Sequence, residues 1–146
     1  MIRSALAFLL ALCVPVHAQM VYTPYSPMDQ RILGTLRGAN FNSTADQAIP
    51  IIGASKYAIS QIIVTNCSVS MTLATGGFYT AASKGGSAVV GAAQVYTALT
   101  GATSLLSATL AITTTAWTAT PLYFSLTTAQ GAAATCDIYV VGIDLT

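Results

Sequence analysis

From residue 106 the chain alternates Leu106, Ala108, Leu110 and Ile112 with Ser107, Thr109 and Ala111, which puts the larger groups on one face of an extended strand. The same period of two runs through Leu122 to Thr127, with Leu122, Phe124 and Leu126 on one side and Tyr123, Ser125 and Thr127 on the other. Val69 to Thr75 repeats it with Val69, Met71 and Leu73. Tyr57 to Cys67 and Thr135 to Leu145 are rich in the β-branched and aromatic residues that suit a pleated surface. Gly76-Gly77, Gly85-Gly86, Gly101 and Gln130-Gly131 read as turns between these runs. Short strands separated by glycine-rich turns predict a single antiparallel β-sandwich, with Leu110 and Phe124 in its core and Lys84 in a turn. Ala88 to Leu99 also fits a short helix.

Ahead of this body stands a different pattern. Arg3 precedes an apolar run from Ala5 to Val14, Pro15 ends it, and Val16-His17-Ala18 offers small or apolar groups to a peptidase. Residues 1–18 read as a secretory signal cut between Ala18 and Gln19, too short to span a bilayer core of ~30 Å. Bulky Leu12 argues against a lipoprotein signal at Cys13. Residues 19–46 open with Tyr22, Pro24, Tyr25 and Pro27, and each proline biases its predecessor away from helix. Asp29 to Leu36 has room for a helical turn that Gly34 and Gly38 weaken. The segment reads either as an extended arm packed on the core or a neighbouring subunit, or as a leader, and 47–146 reads as the sandwich domain.

Charge narrows the function. Charged residues make up 6% of the chain, while hydrophobic ones make up 54%, so the body folds rather than staying disordered. Beyond residue 18, Arg31, Arg37, Lys56 and Lys84 stand against Asp29, Asp46, Asp137 and Asp144; four against four leaves no net charge, no glutamate and no histidine. Such a chain cannot hold a nucleic acid through phosphate contacts, nor an anionic membrane surface. The uncharged stretch Gly85 to Ile112 carries too many Ser, Thr and Gly residues, with a period of two, to read as a membrane span. A neutral surface is poorly soluble as a free monomer, which favours life in an assembly.

With Cys13 in the signal, Cys67 and Cys136 remain, an even count in a chain bound for export. If the strand ending at Cys67 runs antiparallel to the one beginning at Cys136, residues whose numbers sum to 203 face each other: Cys67 with Cys136, Ile63 with Val140, Ile59 with Asp144. Facing residues lie close enough for a disulfide, and first and last core strands then sit side by side, as the B and I strands do in a jelly roll.

Catalytic groupings are missing from this reading. The domain has no imidazole for acid–base work, no close carboxylate pair, and too few ligands for a zinc or calcium site, so neither a metal nor another cofactor is expected. Asp137 and Asp144, seven apart on one strand, point to opposite faces and read as rim residues. Lys84-Gly85-Gly86 lacks the upstream glycine spacing of a phosphate loop. Asn42-Ser-Thr and Asn66-Cys-Ser match the glycosylation pattern, as chance alone allows. Tyr79, Tyr96, Trp117 and Tyr123 are the candidates for an exposed stacking platform, against the commoner fate of aromatic residues in a core.

Ile62 to Ser70 (IIVTNCSVS), Gly76 to Gly86 (GGFYTAASKGG) and Leu122 to Ala134 (LYFSLTTAQGAAA) resemble a group of small tailed-phage and prophage proteins taken to be virion structural or capsid-decoration components. The resemblance covers roughly residues 47–146 and is one of running pattern. It implies a jelly-roll β-sandwich with an assembly role and no catalytic residue. Its expectations are a homo-oligomer, other virion proteins as partners, and a place in the virion. The signal-like segment and the cysteine pair lie outside what it implies and point instead to an exported periplasmic or extracellular binding module, with glycans as one ligand class. A secreted enzyme is the weakest of the three readings.

Overall fold

The computed structural model describes residues 29–118 and 121–146; the signal-like segment with its Ala18–Gln19 junction, and residues 19–28 of the expected arm, lie outside them. The described chain is all β, without a helix. In order come β1 (Gln30–Asn40), β2 (Gln47–Ile49), β3 (Lys56–Thr65), β4 (Thr75–Ala81), β5 (Gly85–Val90), β6 (Leu105–Ser107), β7 (Ala116–Thr118), β8 (Leu122–Thr128) and β9 (Thr135–Asp144). They form two antiparallel sheets, one ordered β1-β9-β3-β6 with β7 also on β3, the other ordered β2-β8-β4-β5. Between them lies one sandwich-like core to which both sheets contribute.

That core explains the alternation of β8. Leu122, Phe124 and Leu126 are fully buried. Phe124 is ringed by Phe41 at 4.9 Å, Phe78 at 5.1 Å and Tyr96 at 6.1 Å between ring centroids, in tilted and edge-on arrangements that suit aromatic quadrupoles. Leu110 is only partly buried, packed against the core from outside.

The sheet begins earlier than the sequence suggests. Gln30–Asn40 is not a helical turn or an arm but an eleven-residue strand along β9, its Leu33 and Ala39 in the core. Gly34 is required there: a Cβ would stand 2.6 Å from the Pro50 carbonyl oxygen. β9 is therefore flanked by β1 on one side and β3 on the other.

The pairing of β3 with β9 follows expectation, but its register does not. Ile63 faces Tyr139 rather than Val140, and Tyr57 rather than Ile59 faces Asp144. Two residues are skipped in this pairing, one within β3 and one just after it. Ser60 is skipped at a bulge between Ile59 and Gln61. Asn66, at φ 52°, is skipped before Cys67 reaches Cys136; asparagine tolerates this left-handed conformation better than most residues. Each skip restores the inward face, so Tyr57, Ile59, Ile62, Val64 and Cys67 are all buried despite the broken period.

Three further expectations give way to tertiary contacts. Val69 to Thr75 is not a strand up to residue 74: the N–H groups of Thr72, Leu73 and Ala74 all donate to the Gln130 side-chain oxygen, and only Met71 of the three alternating residues is buried. Residues 105–112 start as β6 on β3 and then leave it. Ala108 N–H still donates to Ile62 of the first sheet, whereas Ala111 N–H donates to Val89 of the second and Leu110 bridges to Val90. Ala88 to Leu99 is the end of β5 followed by turns, with Tyr96 and Leu99 buried.

Gly76 and Gly77 lie inside β4 rather than in a turn. A Cβ on Gly77 would fall 2.2 Å from the Val90 carbonyl oxygen, so the neighbouring backbone needs glycine there. The β4–β5 turn is made by Ser83 and Lys84 at φ 58° and 55°, the paired left-handed conformation of a tight hairpin.

Candidate functional site

Chemistry-bearing side chains concentrate at the end of the first sheet where β9 begins. Cys67 and Cys136 form a disulfide there across 69 residues of chain, both sulfur-bearing residues buried. Next to it, Asp137 stands on the central strand between two interruptions, Arg37–Gly38 on β1 and Asn66 after β3. Gly38 has φ 63°, which turns its N–H out of the ladder and toward the carboxylate.

Asp137 closes both gaps. Its Oδ1 accepts from Gly38 N–H at 2.8 Å and its Oδ2 from Asn66 Nδ2 at 3.0 Å, with the Arg37 guanidinium 3.6 Å away. Arg37 also lies over the Tyr139 ring, 5.7 Å from its centroid. The Asn66 amide first, then the Gly38 N–H and the Arg37 charge, hold the Asp137 carboxyl below the usual carboxylate range. A carboxylate so saturated with donors is a clamp across three strands, not a proton carrier.

The sign of its pH effect follows. A depressed folded pKa contributes stability that is present above the unfolded carboxylate value of ~3.9 and is lost as pH falls through the folded value. Asp137→Asn should be less stable than wild type at pH 7 and should show a flatter loss of stability between pH 4 and 2. Urea midpoints measured across that range check it; parallel curves for the two proteins would show that Asp137 is not the linked group.

Asp144 and Asp46 are held low in the same manner. Asp144 accepts from the Thr146 hydroxyl and N–H and pairs with Arg31, which also donates to the Gly53 carbonyl. Asp46 accepts from Ser83 N–H, tying the β4–β5 hairpin to the loop before β2.

The four candidate aromatic residues do not form a platform. Tyr96 is fully buried, its hydroxyl donating to the Gly76 carbonyl at 3.2 Å, and burial pushes that hydroxyl well above the phenol range. Tyr79 is buried too, and its hydroxyl is raised for the same reason. Tyr123 is half-buried and faces Tyr79 across β8 and β4. Trp117 is half-buried on the other sheet, opposite Tyr57, packed against the core. Packing rather than display decides three of the four.

Sequence reasoning missed Gln130, which it read as part of a turn. Its Oε1 takes three successive backbone N–H groups, and its Nε2 donates to Ser70 O and Thr72 Oγ1. Nothing in a lone glutamine among small residues announces this; only the folded loop supplies its five partners. Gln130→Leu keeps the volume but leaves those N–H groups without an acceptor, and should cost roughly 2–3 kcal/mol. Urea denaturation checks it, and a change within ~0.5 kcal/mol would mean that water replaces the amide.

A shallow depression of about 400 Å3 lies beside the loop after β5, lined by Gly91, Ala93, Gln94, Val95, Thr109 and Ala111. Both ends of Gln94 are engaged, its Nε2 with Val95 O and its Oε1 with Thr109 N–H, so the floor offers little to a polar ligand. Among the described residues no group of three His, Cys, Asp or Glu side chains is placed to hold a metal, and no helix is long and apolar enough to cross a membrane. No family model matches the chain, and neither the curated proteins nor the solved structures contain a match to it.

Proposed function

We propose that this protein is a non-enzymatic virion structural component of the phage and prophage type, a capsid-decoration protein that works by assembling through its β faces. The observation that carries the reading is strand order. In the two sheets, β1-β9-β3-β6 and β2-β8-β4-β5, successive strands mostly change sheet, and first and last strands are neighbours. That interleaving fits two Greek keys wrapped into a jelly roll, an architecture recurrent in capsid and lectin domains. Fold alone does not assign a role, so two surface properties are added to it. The domain has no net charge, and large aliphatic side chains stand in solvent, Ile52 at 69% exposure and Ile32 at 58%.

Density-gradient fractionation of a particle-producing culture tests the assignment. The protein should band with virions and leave with them when particles are precipitated. A protein found solely in the soluble exported fraction, starting at Gln19, overturns it.

The buried Cys67–Cys136 bridge favours a second reading, an exported binding module, because such bonds persist in oxidising compartments. For a glycan ligand it must rely on Tyr123 and its surroundings rather than on the buried tyrosines. A glycan array without hits removes that version.

A further inference from the structure

The outer face of the first sheet is an apolar, uncharged field. The ladders place Thr35, Tyr139, Ile63 and Ser107 in one row across four strands, Ile32, Val141 and Gln61 in the next, and Gln30, Ile143, Ala58 and Ala116 in a third. Residues paired across a ladder share a face, so all three rows point away from the core. Tyr139, Val141, Ile143 and Ile63 are half-buried, while Ile32 stands in solvent. The rows contain no ionisable side chain other than the Tyr139 phenol. At one end of the field Arg37 lies over the Tyr139 ring with Asp137 as its partner, and Lys56 borders the other end.

We infer that this face is where a second copy of the chain docks, sheet against sheet, centred on Val141 and Ile63. The inference deepens the assembly role proposed above and rests on it for its purpose. Two features favour a second copy over a charged partner. A neutral field meets itself without burying an unpaired charge, the costliest fault an interface can contain. Its edges carry the basic Arg37 and Lys56 at opposite ends, so either orientation of two copies keeps these groups at the wet rim. Extent is the other feature: eleven outward positions in three rows give a footprint of roughly 350 Å2 at ordinary sheet spacings. Allowing for side-chain relief and rim, two copies would bury about 900 Å2 in total, the size of a weak, reversible contact. Such a contact gives a concentration-dependent pair in solution that a lattice of many copies would reinforce.

Sedimentation equilibrium of the purified full chain tests this. Wild type should pass from monomer to dimer with increasing concentration. Gln61→Lys, which sets a charge in the middle row without removing apolar volume, should shift that transition to at least tenfold higher concentration, and Ile63→Lys should abolish it. Val95→Lys, changing an exposed aliphatic residue by the depression after β5, should leave it unmoved. Circular dichroism on each variant identifies any that fails to fold, and Gln61→Lys then decides alone. A wild type that stays monomeric at all concentrations overturns the inference. So does a dimer indifferent to Gln61→Lys, or one dissociated by Val95→Lys. The virion assignment fails separately, by absence from particles.

Discussion

Phe124→Ala should cost about 3–5 kcal/mol, because the ring is fully buried and the space it leaves is walled by other large groups. Phe41, Phe78 and Tyr96 surround it, each tied by hydrogen bonds of its own, Phe78 in the β4 ladder, so none can swing in to fill the cavity. Phe41 is pinned on both sides: its N–H donates to Ala134 O and its carbonyl accepts from Gln130 N–H. Tyr96 is held through its hydroxyl on Gly76. Chemical denaturation measures the loss, and Leu110→Ala is the comparison. Leu110 is partly exposed at the bridge to Val90, so it should cost clearly less. Equal costs at the two positions would contradict the placement of Phe124 at the centre.

Breaking the Cys67–Cys136 bridge is the second large effect. The bond joins positions 69 apart, and in the chain-entropy account closing so long a loop stabilises by roughly 4 kcal/mol. The double variant Cys67→Ser, Cys136→Ser should lose most of that, with an added cost because two hydroxyls replace sulfur at fully enclosed positions. The native bond should also resist dithiothreitol in buffer and yield to it in denaturant, since its cysteines are buried beneath the end of the sandwich. Thiol labelling after each treatment separates the cases. Rapid reduction of the folded protein would mean that this end opens readily.

Much of the fold is written in local pattern. The alternation of residues 122–127, the β-branched run before Cys67 and the run after Cys136 correspond to β8, β3 and β9, where a single buried face imposes a period of two. The cysteine pair was legible for a similar reason, because two thiols on neighbouring strands leave one connectivity. What local pattern could not carry were the bulges. At Ser60 and Asn66 an extra residue breaks the period, and only the partner strand reveals it. The glycines misled in the opposite direction: Gly76 and Gly77 look like turn residues, but they lie in β4 because Val90 and Leu126 approach too closely for a Cβ.

The candidate site was less legible than the fold. Asp137 was visible as a strand carboxylate, yet its role depends on Gly38 and Asn66, 99 and 71 positions away in the chain. Gln130 depends on a loop some 60 positions earlier. Tyr79 and Tyr96 were read as display candidates because burial is not a property of the residue but of what folds over it.

By itself, then, the sequence determined that the residues beyond 18 make a neutral, apolar, all-β body with two cysteines on paired strands. Those traits follow from residue chemistry and from short-range periodicity. Tertiary structure alone decided the register, the crossing of residues 105–112 from one sheet to the other, the clamp at Asp137, the loop gathered by Gln130, and which aliphatic side chains are left in solvent. Each of these depends on groups far apart in the chain satisfying one another's hydrogen bonds or excluding one another's volume, and local pattern does not encode such pairings.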